Sequence, residues 1–275
     1  NQECNHVWDS GVVIKAPTET TTGIKIYTCK ICAETKEEIV PSTGKKEDKD
    51  SSSNNNNRQD NKSTLAPGTK ITDQSSKAVY KITGKNTVEY VKCNVNKNKV
   101  SIPQKIMING VSYQVTSIAA KAFKANKKIR SIVIPSTVRK IGKQAFLNCK
   151  NLKKIEFGNS VVNIGESAFS GCKSLTEIKL PNKLKKIGKR AFSSCKNLKQ
   201  VTIGAGVTLI GEEAFCNCKK LTKVFINSKK VKSVGKNAFK NISGNAKIKV
   251  PDSKLKQYKK VLNKAGQGKK VKICS

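Results

Sequence analysis

Residues 164–181 read IGESAFSGCKSLTEIKLP, and residues 187–204 read IGKRAFSSCKNLKQVTIG. The two lines are the same line written twice, and working outward from them extends the match in both directions. An Ala-Phe pair recurs at Ala122-Phe123, Ala145-Phe146, Ala168-Phe169, Ala191-Phe192, Ala214-Phe215 and Ala238-Phe239, with spacings of 23, 23, 23, 23 and 24 residues. Other columns keep step. Ile118, Ile141, Ile164, Ile187, Ile210 and Val234 precede the Ala by four residues, and Cys149, Cys172, Cys195 and Cys218 follow it by four. Then come Leu152, Leu175, Leu198 and Leu221, followed by Ile155, Ile178, Val201 and Val224. A coil with so few apolar side chains cannot cover them alone. Stacked coils cover one another, so a fixed period with apolar residues at fixed phases predicts a solenoid.

Within one coil, L-x-x-I-x-F ends in the alternation of a short strand whose neighbour is the equivalent strand of the next coil. Ala, Phe and Cys at relative positions 0, 1 and 4 are expected on one side of a helical turn. The glycines at 142, 165, 188, 211 and 235 are expected to supply a bend. Taken together, IG-x-x-AF-x-x-C-x-x-L-x-x-I-x-F/L/I over residues 118–239 resembles the BspA-like, or Treponema-type, leucine-rich repeat family. The resemblance implies a leucine-rich repeat solenoid of about six 23-residue coils over 118–250. It also implies a secreted or cell-surface bacterial protein that binds a host or microbial surface protein in adhesion. The residues themselves establish the repeat and leave the ligand open.

The segments around the repeats read as caps. AVYKI (78–82) and VEYV (88–91) are expected as strands, and IMINGVSYQV (106–115) as a hairpin turning at Asn109-Gly110, which together make 67–117 an N-terminal β-hairpin cap. In 251–275, Leu255, Tyr258, Leu262 and Ala265 share a helical face that Asp252 or Ser253 can open and Gly266 can close, giving a helical C-terminal cap. Residues 42–66 form a flexible linker, because PSTGKKEDKDSSSNNNNRQDNKST (41–64) offers no large apolar residue to repay ordering. The chain begins at Asn1 without Met, as expected of a processed or trimmed export precursor. No apolar run reaches the roughly 18 residues that membrane insertion needs.

Residues 1–41 are expected to be a small zinc-ribbon-like β module. Cys4-x-His6 and Cys29-x-x-Cys32 are two close pairs of N/S ligands, suited to a closed, structural tetrahedral zinc. The C-x-H pair departs from the usual ribbon. A Cys29–Cys32 or Cys4–Cys29 disulfide is the competing reading. The periodic cysteines are expected as buried thiols rather than as a redox or metal ladder, and Cys93, Cys216 and Cys274 have no periodic partner.

Charge is the most extreme feature of the composition. The chain carries 55 Lys plus Arg against 18 Asp plus Glu, a net charge of +37. Residues 1–50 hold 7 Lys and 9 acids, so residues 51–275 hold the other 48 bases and 9 acids, or +39. One column of this charge, Lys127, Lys150, Lys173, Lys196 and Lys219, follows the cysteines and could track an anionic polymer such as an acidic glycan, teichoic acid or nucleic acid. A solvated row of lysines is the alternative. A second column, Lys143, Glu166, Lys189, Glu212 and Lys236, alternates in sign and is expected to match charge between coils. The outward strand positions, including Lys154, Lys179, Thr202 and Phe225, are expected on a ligand-facing surface. The single histidine falls in the N-terminal unit, and no P-loop, G-x-S-x-G, H-E-x-x-H or dinucleotide fingerprint occurs. The expectation is a binding protein without catalysis and without a small-molecule substrate.

Overall fold

A computed structural model describes residues 7–18, 21–29, 35–41, 65–73, 76–92 and 97–275. The chain separates into two compact units, 1–59 and 60–275. The first contains an antiparallel sheet of β1 (Val12–Lys15), β2 (Gly23–Thr28) and β3 (Thr35–Val40), with β2 in the middle. Trp8 bridges to Cys29, and the Asp9 carboxylate accepts from the backbone N–H groups of Gly11 and Thr28 at 2.9 and 3.0 Å. Lys36 lies over the rings of both Trp8 and Tyr27, at 4.8 and 5.0 Å.

The second unit opens with β4 (Lys70–Thr72), β5 (Val79–Gly84), β6 (Thr87–Lys92), β7 (Lys99–Ser101), β8 (Lys105–Ile108) and β9 (Val111–Ile118). The expected hairpins are present: β5 pairs antiparallel with β6, and β8 with β9. Asn109 and Gly110 both take positive φ, 49° and 73°, which matches a two-residue hairpin turn to the twist of its strands. The solenoid then alternates longer strands with two-residue strands. These are β10 (Ser131–Ile134), β11 (Lys140–Ile141), β12 (Lys154–Phe157), β13 (Asn163–Ile164), β14 (Glu177–Lys179) and β15 (Lys186–Ile187). They continue as β16 (Gln200–Ile203), β17 (Leu209–Ile210), β18 (Lys223–Ile226), β19 (Ser233–Val234) and β20 (Lys247–Lys249).

Parallel register equals the sequence period. Ile132 sits opposite Ile155, Val201 opposite Val224, and Ile164 opposite Ile187. The short strands form one continuous ladder from β9 to β19. The longer strands run β7-β10-β12 and then β14-β16-β18-β20-β21, where β21 is Lys272–Cys274. β12 and β14 are in contact without ladder pairing, and Ile155 and Phe157 are only half-buried there.

The link between short and long strands differs from the expected helical turn. It is a string of turns in which two residues per coil take positive φ, such as Gln144 and Asn148, or Glu213 and Asn217. These residues turn their N–H groups to the next coil instead of up a helix. Gln144 donates to Glu166 O at 2.8 Å, Phe146 to Ala168 O at 2.7 Å and Asn148 to Ser170 O at 2.8 Å. The expected glycine bend is also corrected. Gly142, Gly165, Gly188, Gly211 and Gly235 do not have positive φ; a Cβ on Gly188 would lie 2.6 Å from the Gly165 carbonyl carbon. These glycines allow backbone to touch backbone between coils.

The core is a stack. Rings of Tyr90, Phe123, Phe146, Phe169, Phe192, Phe215 and Phe239 follow one another at 4.7–5.4 Å, within 11° of parallel. The four periodic cysteines are buried, and each thiol donates to the Phe carbonyl 26 residues earlier, from Cys149 to Phe123 at 3.0 Å through Cys218 to Phe192 at 3.2 Å. At the C-terminal end, a 3₁₀ turn (Asp252–Lys254) leads into α1 (Leu255–Leu262). Tyr258, Leu262 and Ala265 are buried as expected, and Gly266 takes φ 72°. Neither Asp252 nor Ser253 caps α1: its N-cap is Lys254, with no side-chain hydrogen bond. Tyr258 ties the helix to the last coil, its hydroxyl accepting from Val231 N at 2.9 Å and donating to Ser228 O at 2.7 Å.

Candidate functional site: two outer faces of the solenoid

Each longer strand alternates buried and outward side chains, so the register fixes an outward row. Lys179, Thr202, Phe225 and Lys249 stand opposite one another on β14, β16, β18 and β20. Lys179 and Lys249 are exposed, whereas Thr202 and Phe225 are half-buried. Phe225 is an aromatic ring at an outward position between a threonine and a lysine. Lys154, on β12, is engaged with Glu156, two residues along the same strand, at 2.6 Å. That hydrogen bond and charge hold the Glu156 carboxyl below its ordinary range.

The lysine column occupies the turn after the cysteines. Lys127, Lys150, Lys173, Lys196 and Lys219 are all exposed, one per coil. Among the described residues, no carboxylate forms an ion pair with any of them. Most carboxylates of the solenoid are used elsewhere. Lys143 pairs with Glu166 and Lys189 with Glu212, both at 2.8 Å, which bears out inter-coil matching in the alternating column. Arg190 pairs with Glu213 alongside, and its hydrogen bond lowers the Glu213 pKa.

The thiols are poorly suited to chemistry. Burial pushes the Cys149 pKa up to about 12, and it raises those of Cys172 and Cys218 as well. A thiolate is the reactive form, so a buried neutral thiol hydrogen-bonded to a carbonyl is a packing group. Of the four expected zinc ligands, Cys29 is buried just after β2, and Cys4, His6 and Cys32 lie outside the described residues. Cys93 also lies outside them, whereas Cys216 is buried and Cys274 half-buried in β21.

The model of the BspA-type leucine-rich repeat region matches residues 116–246 in six copies. The solenoid is a BspA-type leucine-rich repeat array. Solved structures agree with this. A leucine-rich cell surface protein from Faecalibacterium prausnitzii is 26% identical, with a TM-score of 0.53 over 67% of this chain and 56% of that one. The pneumococcal vaccine antigen PcpA is 30% identical, with a TM-score of 0.58 over 65% of this chain and 49% of that one. The leucine-rich repeat protein of T. pallidum is 25% identical, with a TM-score of 0.51 over 69% of this chain and 96% of that one. The chain thus spans about half the length of the first two relatives. No curated protein matches the chain significantly. No helix among the described residues is long and apolar enough to cross a membrane.

The sequence reading reached the lysine column, the strand face and the charge-matched column. It missed Tyr90 as the first ring of the Phe stack and Tyr258 as the tie between helix and coil. Both sit outside the 23-residue pattern, where periodicity is blind. The signal available for Tyr258 was its place on the apolar face of α1.

Proposed function

We propose that the BspA-type array is a non-catalytic scaffold of a secreted or surface-associated bacterial protein, and that it recognises a host or microbial surface protein through the outward row on β14–β20. The observation that carries this reading is Phe225, a half-buried aromatic in register with Thr202 and Lys249. Aromatic anchors ringed by polar groups supply most of the energy in protein interfaces. The cell-surface description of the F. prausnitzii relative supports the location. The test is binding of the full chain to purified matrix and bacterial surface proteins at about 50 and 200 mM salt. A partner that survives the higher salt and weakens about tenfold or more with Phe225→Ser supports the scaffold. If no protein binds, or if binding ignores Phe225, the reading fails.

We propose that the N-terminal unit is a structural zinc module held by Cys4, His6, Cys29 and Cys32. Its support is the donor set together with Cys29 buried at the end of a central strand. Metal content of the purified chain tests it: about one zinc per chain is expected, and a metal-free, disulfide-bonded unit would sink the proposal.

A further inference from the structure

The lysine column repeats in every coil, but its neighbours do not. In the coil that begins at Ala122, Lys127 is accompanied by Lys128 and Arg130. The equivalent pairs in the next four coils are Asn151 and Lys153, Ser174 and Thr176, Asn197 and Lys199, and Lys220 and Thr222. Only the first coil therefore places cations at all three positions. The fold adds two more. β7 lies parallel to β10 with Lys99 opposite Ser131, and Asn98 O accepts from both Arg130 N and Ser131 N, at 2.6 and 3.0 Å. The mouths of three adjacent parallel strands thus enclose a cleft of about 640 Å³ lined by Lys97, Asn98, Lys99, Lys127, Lys128, Arg130 and Asn151.

All seven lining residues are exposed, and five carry positive charge. The turn that presents the cations is fixed by backbone bonds. Asn126 Oδ1 accepts from the N–H groups of Lys128 and Ile129 at 2.8 and 3.0 Å, and Asn151 Nδ2 donates to Lys127 O at 2.7 Å. The carboxylate that feels Lys99 is Glu156, and Lys154 already holds it. Five like charges around one cleft with so little local compensation favour a multiply charged anion.

We infer that this cleft binds an acidic polysaccharide, taking sulfate or carboxylate groups on Lys97, Lys99, Lys127, Lys128 and Arg130 and sugar hydroxyls on the Asn98 and Asn151 amides. The volume is that of a ligand site, while every lining residue is charged or an amide, which does not suit an apolar small molecule. It also contains no aromatic ring, so single-stranded nucleic acid would find no stacking platform within it. This site is separate from the Phe225 row and stands or falls independently of it.

The test uses the full chain and a heparin octasaccharide, with affinity measured by calorimetry at about 50 and 200 mM salt. Two double variants remove the same charge from exposed positions: Lys128→Ser with Arg130→Ser in the cleft, and Lys173→Ser with Lys196→Ser in the column. The cleft variant is expected to bind about tenfold or more weakly, as loss of two charge-assisted contacts implies, and the column variant within about twofold of the parent. Absence of binding by the parent, or equal loss in both variants, overturns the cleft. A DNA oligonucleotide, single- or double-stranded, that binds as tightly with the same dependence on Lys128 and Arg130 overturns the polysaccharide assignment. Unchanged melting of both variants shows that the losses come from binding.

Discussion

At the scale of single residues, the solenoid rests on positions where one atom more or less matters. Gly188 is such a position. A methyl group there would meet the Gly165 carbonyl carbon at 2.6 Å, and on the other side the Gly211 position makes the same demand on Gly188. Backbone cannot rotate away as a side chain can, so Gly188→Ala must push two coils apart. It is expected to cost about 1–3 kcal/mol in urea unfolding, whereas the same change at Gly244, where a Cβ meets nothing within 4 Å, should cost far less. Tyr258 is a second such position. Phe there would keep the ring in the core while leaving Val231 N and Ser228 O without the hydroxyl. Unsatisfied buried groups make Tyr258→Phe destabilising by about 1–3 kcal/mol, which thermal melting would read as a lower Tm. A hydroxyl removed without effect would mean that the helix is held by apolar packing alone.

At the scale of the element, the unit is the coil with its thiol. Cys149 has an ordinary value of 9.0 that burial raises to about 12 in the folded chain. Below pH 9 both states hold the proton and the buried thiol contributes fully. Between about 9 and 12 the unfolded chain releases the proton and the folded chain keeps it, so stability falls by up to about 1.4 kcal/mol per pH unit for this thiol. Lysines titrate in the same window, so the measurement is a comparison. Urea midpoints from pH 8 to 11 should fall more steeply in the parent than in Cys149→Ala, and identical slopes would refute the assignment. The coil also shows what sequence makes legible. Period gave strand register, core columns and charge matching, because each depends only on what stands 23 residues away. It misled over the Ala-Phe-Cys turn, since positions 0, 1 and 4 suit a helix as well as a run of turns. Backbone bonding decided between the two, through residues such as Asn148 and Asn217 whose left-handed φ sends the N–H to the next coil. The anion cleft was illegible for another reason. Lys97 and Lys99 lie about 30 residues before Lys127–Arg130, and only the pairing of β7 with β10 brings them together.

At the scale of the whole solenoid, three sets of stabilising contacts run between neighbouring coils. Phe stacks on Phe, thiols reach the previous coil, and turn amides reach the next. Such an array behaves as a chain of nearest-neighbour couplings, so its ends govern how it opens. The C-terminal end is closed by 251–275. Asn237 and Phe239 donate to Lys264 O and Ala265 O, β21 pairs with β20, and Tyr258 anchors α1 to the coil beneath. A chain ending at 250 would leave those amides and the Phe239 ring uncovered. Hydrogen exchange should then show protection lost from β20 and β18 backwards, fading over one or two coils, while the turn amides of Phe123 and Phe146 remain slow. Uniform loss along all coils would instead mark a single cooperative block, with couplings stronger than the coils they join. The high charge sharpens the expectation: residues 51–275 carry +39, so the opened end should fray further at low salt than at high salt.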